Sequence, residues 1–142
     1  MTQRMMRAIA QTVYGGPDVL VHGKAPTPSL RPRDLLVRVV AIGVNPVDAK
    51  QRAGGSTGAP VPNPPRILGW DGAGVVAAVG ADASKFGVGA EVYFAGDITR
   101  QGSYAEYVAV DERLVGRKPR RLSFDEAAAV PLTALTAWEG LI

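Results

Sequence analysis

Residues 68–80 read LGWDGAGVVAAVG, and their reading decides the fold. Gly72, Gly74 and Ala77 fit G-x-G-x-x-A, the spacing of a dinucleotide-binding turn. Such a turn needs a strand before the glycines and a helix opening on them, so that backbone N–H groups and the helix dipole face a pyrophosphate. Here the glycines lead into VVAAV, bounded by Gly80 and the turn residues DASKFGVG, which reads as a strand entering a turn. The small residues are therefore expected to let a barrel strand pack closely on its neighbour.

Outward from that strand, short β-type runs punctuated by Gly and Pro suggest a sandwich or barrel rather than alternating βαβ units. Strands are expected over 6–14, 19–23, 34–45, 74–79, 91–94 and 103–110. In LLVRVVAIGV (35–44) one charge, Arg38, interrupts a mostly apolar run, as in a strand covered over most of its length. A short helix is expected over 46–52, with Asn45 as N-cap and Pro46 at the first helical position. Ser123 and Glu126 form an S-x-x-E capping box before a second helix, and Pro131 breaks that helix and opens a third, LTALTAWEGLI. The Pro-rich GAPVPNPPR (58–66) reads as an extended surface loop.

The 142 residues suffice for one domain with a hydrophobic core. An apolar share of 46% and a charged share of 20% are those of an ordinary globular chain. The N-terminus lacks the apolar core of a signal peptide, and no run approaches the roughly 20 apolar residues of a bilayer span, so no membrane association and a cytoplasmic location are expected. Cysteine is absent and His22 is the single histidine, which excludes disulfides, thiolate metal sites and cysteine nucleophiles. The net charge of +3 is modest, and its basic clusters, RPR (31–33) and RKPRR (117–121), carry no interleaved aromatics. They read as solvated turns, and no nucleic-acid partner is expected. GGSTG (54–58) fits the G-x-S-x-G nucleophile elbow, but its flanks are Pro-rich and His22 precedes the serine, so Ser56 reads as a loop serine.

Taken together and in this order, AIGVNPVDAKQRAG, LGWDGAGVVAAVG, FGVGAEVYF, GSYAEY and AAAVPLTALTAW resemble the catalytic, GroES-like domain of medium-chain dehydrogenase/reductases. The resemblance covers essentially the whole chain and is strongest to the zinc-free quinone oxidoreductase-like members, often labelled zinc-type alcohol dehydrogenases. It implies a mainly β fold, a GroES-like partly open β-barrel with short helices. Residues 1–131 would form the catalytic domain, and 132–142 the start of a connecting helix to a Rossmann domain that these residues do not include. Where zinc enzymes of this superfamily place ligands, this chain has Asn45 in GVNPVD, Trp70 in the G-H-E slot and Thr133 near the slot of a later cysteine. No metal is expected, because zinc takes about three protein ligands even in a catalytic site.

The function implied is that of the catalytic part of an NADPH-dependent oxidoreductase, transferring hydride to a quinone or conjugated carbonyl (enone) without zinc. NADPH would be held mainly by the domain not included, so the 142 residues alone are expected to be inactive. By resemblance Asn45, Asp48 and Arg52 line the cleft, Trp70 forms a stacking wall, and Asn45 and Thr136 approach the nicotinamide. Each has a plainer explanation: a helix cap for Asn45, an i,i+4 ion pair for Asp48 and Arg52, core packing for Trp70, and a back-bonded helix threonine for Thr136. Relatives often carry tyrosine where this chain has Lys50. Tyr104 and Tyr107 read as structural. The other class of function compatible with these residues is a stand-alone GroES-like binding module without catalysis. Leu132, Leu135, Trp138, Leu141 and Ile142 make the last helix a surface for self-association.

Overall fold

The computed structural model describes residues 4–142. It contains two antiparallel sheets. In the first, β1 (Met5–Gln11) lies between β2 (Val21–Pro26) and the short β4 (Arg66–Ile67). The second runs in the order β7 (Tyr107–Asp111), β3 (Asp34–Gly43), β5 (Asp71–Val79), β6 (Glu91–Ala95) and β8 (Val115–Arg117). Neither sheet closes on itself, and with α1 (Pro46–Ala53), α2 (Phe124–Ala128) and α3 (Pro131–Leu141) the result is the expected mainly β, partly open barrel with short helices.

The deciding stretch is a strand. β5 pairs with β3 on one side and β6 on the other, and no helix opens on its glycines. A Cβ at Gly72 would sit 2.6 Å from the Phe94 ring, and one at Gly74 would collide with the Arg38 carbonyl. The glycine spacing therefore serves close strand packing.

β1 shows the period of two that sets its face, with Met6 and Ala8 inward against Ala25 and Ile67. The main core lies under the second sheet, where Leu35 and Val37 meet Val76, Val92, Phe94, Val108 and Val110. The expected cover over 35–44 holds only for the first half of β3. β7 pairs with β3 no further than Arg38, whereas β5 continues to Gly43. Beyond Arg38 one face opens, and Val40 and Ile42 are exposed.

Three further expectations are corrected. β4 and β8 were not anticipated, since two or three residues are too few to show a period. The strand expected over 103–110 begins only at Tyr107, because residues 104–106 join the two sheets instead. The Ile9 N–H donates to the Tyr104 carbonyl at 2.8 Å, Glu106 N–H to Arg7 O at 3.1 Å, and Val39 N–H to Glu106 O at 2.9 Å. In the other direction β5 starts at Asp71, three residues before the expected 74.

α2 begins at the anticipated capping box: Glu126 N–H donates to Ser123 Oγ at 3.1 Å, and Ser123 N–H returns to the Glu126 carboxylate at 2.8 Å. Ala127 and Ala128 then seat the helix on Ala73, small side chains permitting close approach to the sheet. α3 follows at Pro131, and its Leu135, Trp138, Leu141 and Ile142 are exposed.

Candidate functional site

The polar cluster of interest forms where β3 ends and α1 begins. Asn45, extended at φ −125° and ψ 158°, is the N-cap of α1, with Pro46 in the first turn. It shares a capping box with Asp48, whose carboxylate accepts the Asn45 N–H at 3.1 Å. The same Asp48 oxygen, on a side chain buried to 3% exposure, accepts the Tyr104 hydroxyl at 2.6 Å. Burial raises the Tyr104 hydroxyl well above the ordinary tyrosine range, and the hydrogen bond to a carboxylate adds to the effect. The Tyr104 hydroxyl therefore keeps its proton and acts as the donor.

Beside it lies Asp71, 1% exposed. One oxygen accepts the Asn45 side-chain amide at 2.7 Å, and the other accepts the backbone N–H of Leu132 at 2.7 Å. Burial pushes the Asp71 carboxyl above the ordinary carboxylate range, the two donors hold it back in part, and the nearby charge of Asp48 pushes it further. The approach depends on Gly43, where a Cβ would stand 2.6 Å from the Ala128 carbonyl and 2.8 Å from the Asp71 Cβ.

Of the residues expected to line a cleft, the fold brings Asn45 and Asp48 together and separates the rest. Arg52 turns away from Asp48. Its Nε donates to Gly15 O at 3.1 Å, while its own carbonyl accepts Gly15 N–H and the Gln11 side chain, each at 3.2 Å. Arg52 thus clamps α1 to the loop after β1, and no Asp48–Arg52 ion pair forms among the described residues. Trp70 is 1% exposed, so it sits in the interior and not on an open wall. Gly69, at φ +94°, turns the chain inward there, and a Cβ on it would strike the Tyr104 ring. The Arg66 guanidinium lies 6.0 Å from the Trp70 ring centroid. Thr136 is exposed, and its hydroxyl donates to Leu132 O at 2.8 Å, the back-bonded form.

Asp71 and Tyr104 were missed as site residues. For Asp71 a signal existed: a carboxylate heading a strand of Gly, Ala and Val has to be paired once buried. For Tyr104 there was none, because alternation in GSYAEY does not tell which tyrosine finds a polar partner. We expect Tyr104→Phe to cost about 1.5–3 kcal/mol in urea unfolding, the range for a hydrogen bond to a charged group, since it strips a buried carboxylate of a donor. A loss below about 0.5 kcal/mol would mean that the pair contributes nothing net.

Along the open half of β3 runs a groove of about 700 Å³, lined in part by Ile9, Leu20, Val39, Ile42, Val44 and Tyr104. Among the described residues no group of three or more His, Cys, Asp or Glu is placed to hold a metal ion.

The family profile of the alcohol dehydrogenase GroES-like domain matches residues 31–120. The chain is 44% identical over 147 residues to the 2-methylene-furan-3-one reductase of Solanum lycopersicum, covering 96% of this chain and 37% of that protein. It is 41% identical over 148 residues to the chloroplastic NADPH-dependent alkenal/one oxidoreductase of Arabidopsis thaliana, with the same coverage of 96% and 37%. The crystal structure of the quinone oxidoreductase from Coxiella burnetii superposes with a TM-score of 0.87 at 33% identity, over 97% of this chain and 44% of that one. The 142 residues thus span about two fifths of the length of the relatives they match.

Proposed function

The chain belongs to the alcohol dehydrogenase GroES-like domains of the medium-chain dehydrogenase/reductase superfamily of oxidoreductases, and from that premise we propose that it is the catalytic wall of an NADPH-dependent reductase of quinones or enones. The observation that carries the reading is the hydrogen-bonded cluster of Asn45, Asp48, Asp71 and Tyr104, in which the two carboxylates are buried and Tyr104 also lines a largely apolar groove. Its volume of about 700 Å³ suits a small, mostly apolar acceptor.

The donor set fits zinc poorly. Of the positions that resemble zinc-ligand slots, Asn45, Trp70 and Thr133 offer no anionic or imidazole donor, and both oxygens of the adjacent Asp71 already face N–H groups. Activity is accordingly proposed to be independent of the metal.

NADPH fits at one end only. Gly72 and Gly74 are packed within β5, and the Leu132 N–H at the start of α3 is taken by Asp71, so neither can cradle a phosphate. Asn45 and Thr136 are the residues that could meet the nicotinamide. When bound, the cofactor supplies the hydride. The part proposed for this chain is to orient. Asn45 gives one amide hydrogen to Asp71 and keeps the other for a substrate carbonyl oxygen, while Val44 and the groove exclude water from the acceptor. We place the contact with a nucleotide-binding domain on the exposed face of α3, at Leu135, Trp138 and Leu141, and propose that this face self-associates when left uncovered.

The test is absorbance at the nicotinamide band, using the natural protein that contains these residues with NADPH and a small enone or benzoquinone. Saturable oxidation of NADPH that survives a chelator, in protein holding substoichiometric zinc, is the expected result. Rates that vanish with the chelator and return with zinc would overturn the metal-free reading. Absence of any turnover, with small-molecule binding retained, would favour a binding module without catalysis.

A further inference from the structure

The two ends of an asparagine amide are nearly the same size, and only their partners decide which end faces where. At Asn45 one partner is an acceptor, since the Asp71 carboxylate takes the amide hydrogen at 2.7 Å. The oxygen end is thereby turned toward the Asp48 N–H of the capping box, which also donates to the Asn45 backbone carbonyl at 3.0 Å. Asp71 also serves the start of α3. The N-cap there is Val130, which has no side-chain acceptor, and the first N–H groups of any helix lack partners within it. The second oxygen of Asp71 accepts the Leu132 N–H, so a strand residue 61 positions away in sequence acts as the cap.

We propose that Asp71 is the positioning residue of this site: as an acceptor on both oxygens it sets which way the Asn45 amide faces and joins the first turn of α3 to the end of β3. The role of that geometry in hydride transfer rests on the functional reading above, whereas the geometry itself does not. An amide at position 71 would place a donor in the cluster. Asn45 would then have to turn over and set its NH₂ against the Asp48 N–H, or the new amide would have to turn its own NH₂ toward the Leu132 N–H. Either way two donors oppose each other. Exchanging the two side chains removes the conflict. In Asn45→Asp/Asp71→Asn the amide at position 71 donates to the carboxylate at position 45 and accepts the Leu132 N–H, while the carboxylate at position 45 caps Asp48.

The experiment is amide hydrogen exchange by NMR on the protein, Asp71→Asn and the exchanged double variant, together with the side-chain amide signals of positions 45 and 71. In Asp71→Asn the Leu132 amide, the Asp48 amide or both should exchange about tenfold faster, the factor that corresponds to one lost hydrogen bond. In the double variant both should return to within about threefold of the parent, and the protected side-chain amide should be that of position 71. Unchanged exchange in Asp71→Asn would overturn the proposal. So would a double variant that fails to restore protection, and this second arm remains decisive if the single variant does not fold. Protection restored in the double variant, with a parent protein that never reduces enones or quinones, would uphold the positioning and sink the functional reading alone.

Discussion

Residues 1–142 by themselves, mixed with NADPH and benzoquinone, are expected to show no saturable turnover above the uncatalysed rate. Holding donor and acceptor at near-attack distance is worth about 7–11 kcal/mol of such a barrier when fully realised. The described residues offer the nicotinamide at most a partly exposed amide at Asn45 and a threonine whose hydroxyl already serves its own helix. Among the described residues the pyrophosphate and adenosine find no glycine-rich turn at a helix start, because the G-x-G-x-x-A spacing lies within β5. Binding should be no tighter than about millimolar, equivalent to about 4 kcal/mol. Calorimetric titration and a stopped-flow assay decide it, with circular dichroism to verify that the chain is folded. Micromolar binding with saturable turnover would show that a nucleotide site exists among these residues.

The largest expected loss of stability follows Arg100→Met. Asp34 opens β3 at 1% exposure, and the Arg100 guanidinium grips both of its oxygens, at 2.9 Å and 2.6 Å, from the loop between β6 and β7. The Arg31 N–H adds a third bond at 2.9 Å. Removing one partner leaves the other charge buried and uncompensated, which costs about 3–5 kcal/mol in comparable pairs. Because Arg100 keeps a side-chain exposure of 15%, the low end of that range is expected.

The loss should depend on pH. Burial alone would raise the Asp34 carboxyl, but the Arg100 hydrogen bonds, the Arg31 N–H and the positive charges outweigh it and hold the group below its ordinary value of 3.8. A depressed folded-state value contributes stability that is present above the unfolded value and lost as pH falls through the folded one. The deficit of Arg100→Met should therefore be full at neutral pH and shrink below about pH 4. Urea unfolding at several pH values measures it. A deficit below about 1 kcal/mol, or one unchanged into acid, would mean that Asp34 finds other compensation.

Much of the fold was legible because it is decided over a few residues. Ser123 and Glu126 bond across three positions, Pro131 opens a helix it could not continue, and VVAAV after the glycines continues a strand where a nucleotide turn would need a helix. The limits of β3 and β7 were less legible. How far a strand is covered depends on where its neighbour stops pairing, and residues 104–106 divide their hydrogen bonds between two sheets.

The candidate site follows the same division. Sequence alone determined that Asn45 caps α1 and that the Gly-rich stretch is a strand, because caps, turns and side-chain periods are local. It also placed Asp48 and Arg52 one helical turn apart, as an ion pair would need, yet Asp48 took Tyr104 and Arg52 took Gly15. Only the tertiary structure decided that Asp48 pairs with Tyr104 across 56 positions, that Asp71 reaches Asn45 across 26 and Leu132 across 61, and that Trp70 faces inward. The physical reason is desolvation. A polar group takes whichever partner the fold leaves beside it once water is gone, so the pairing is fixed by packing at Gly43 and Gly69 and not by spacing along the chain.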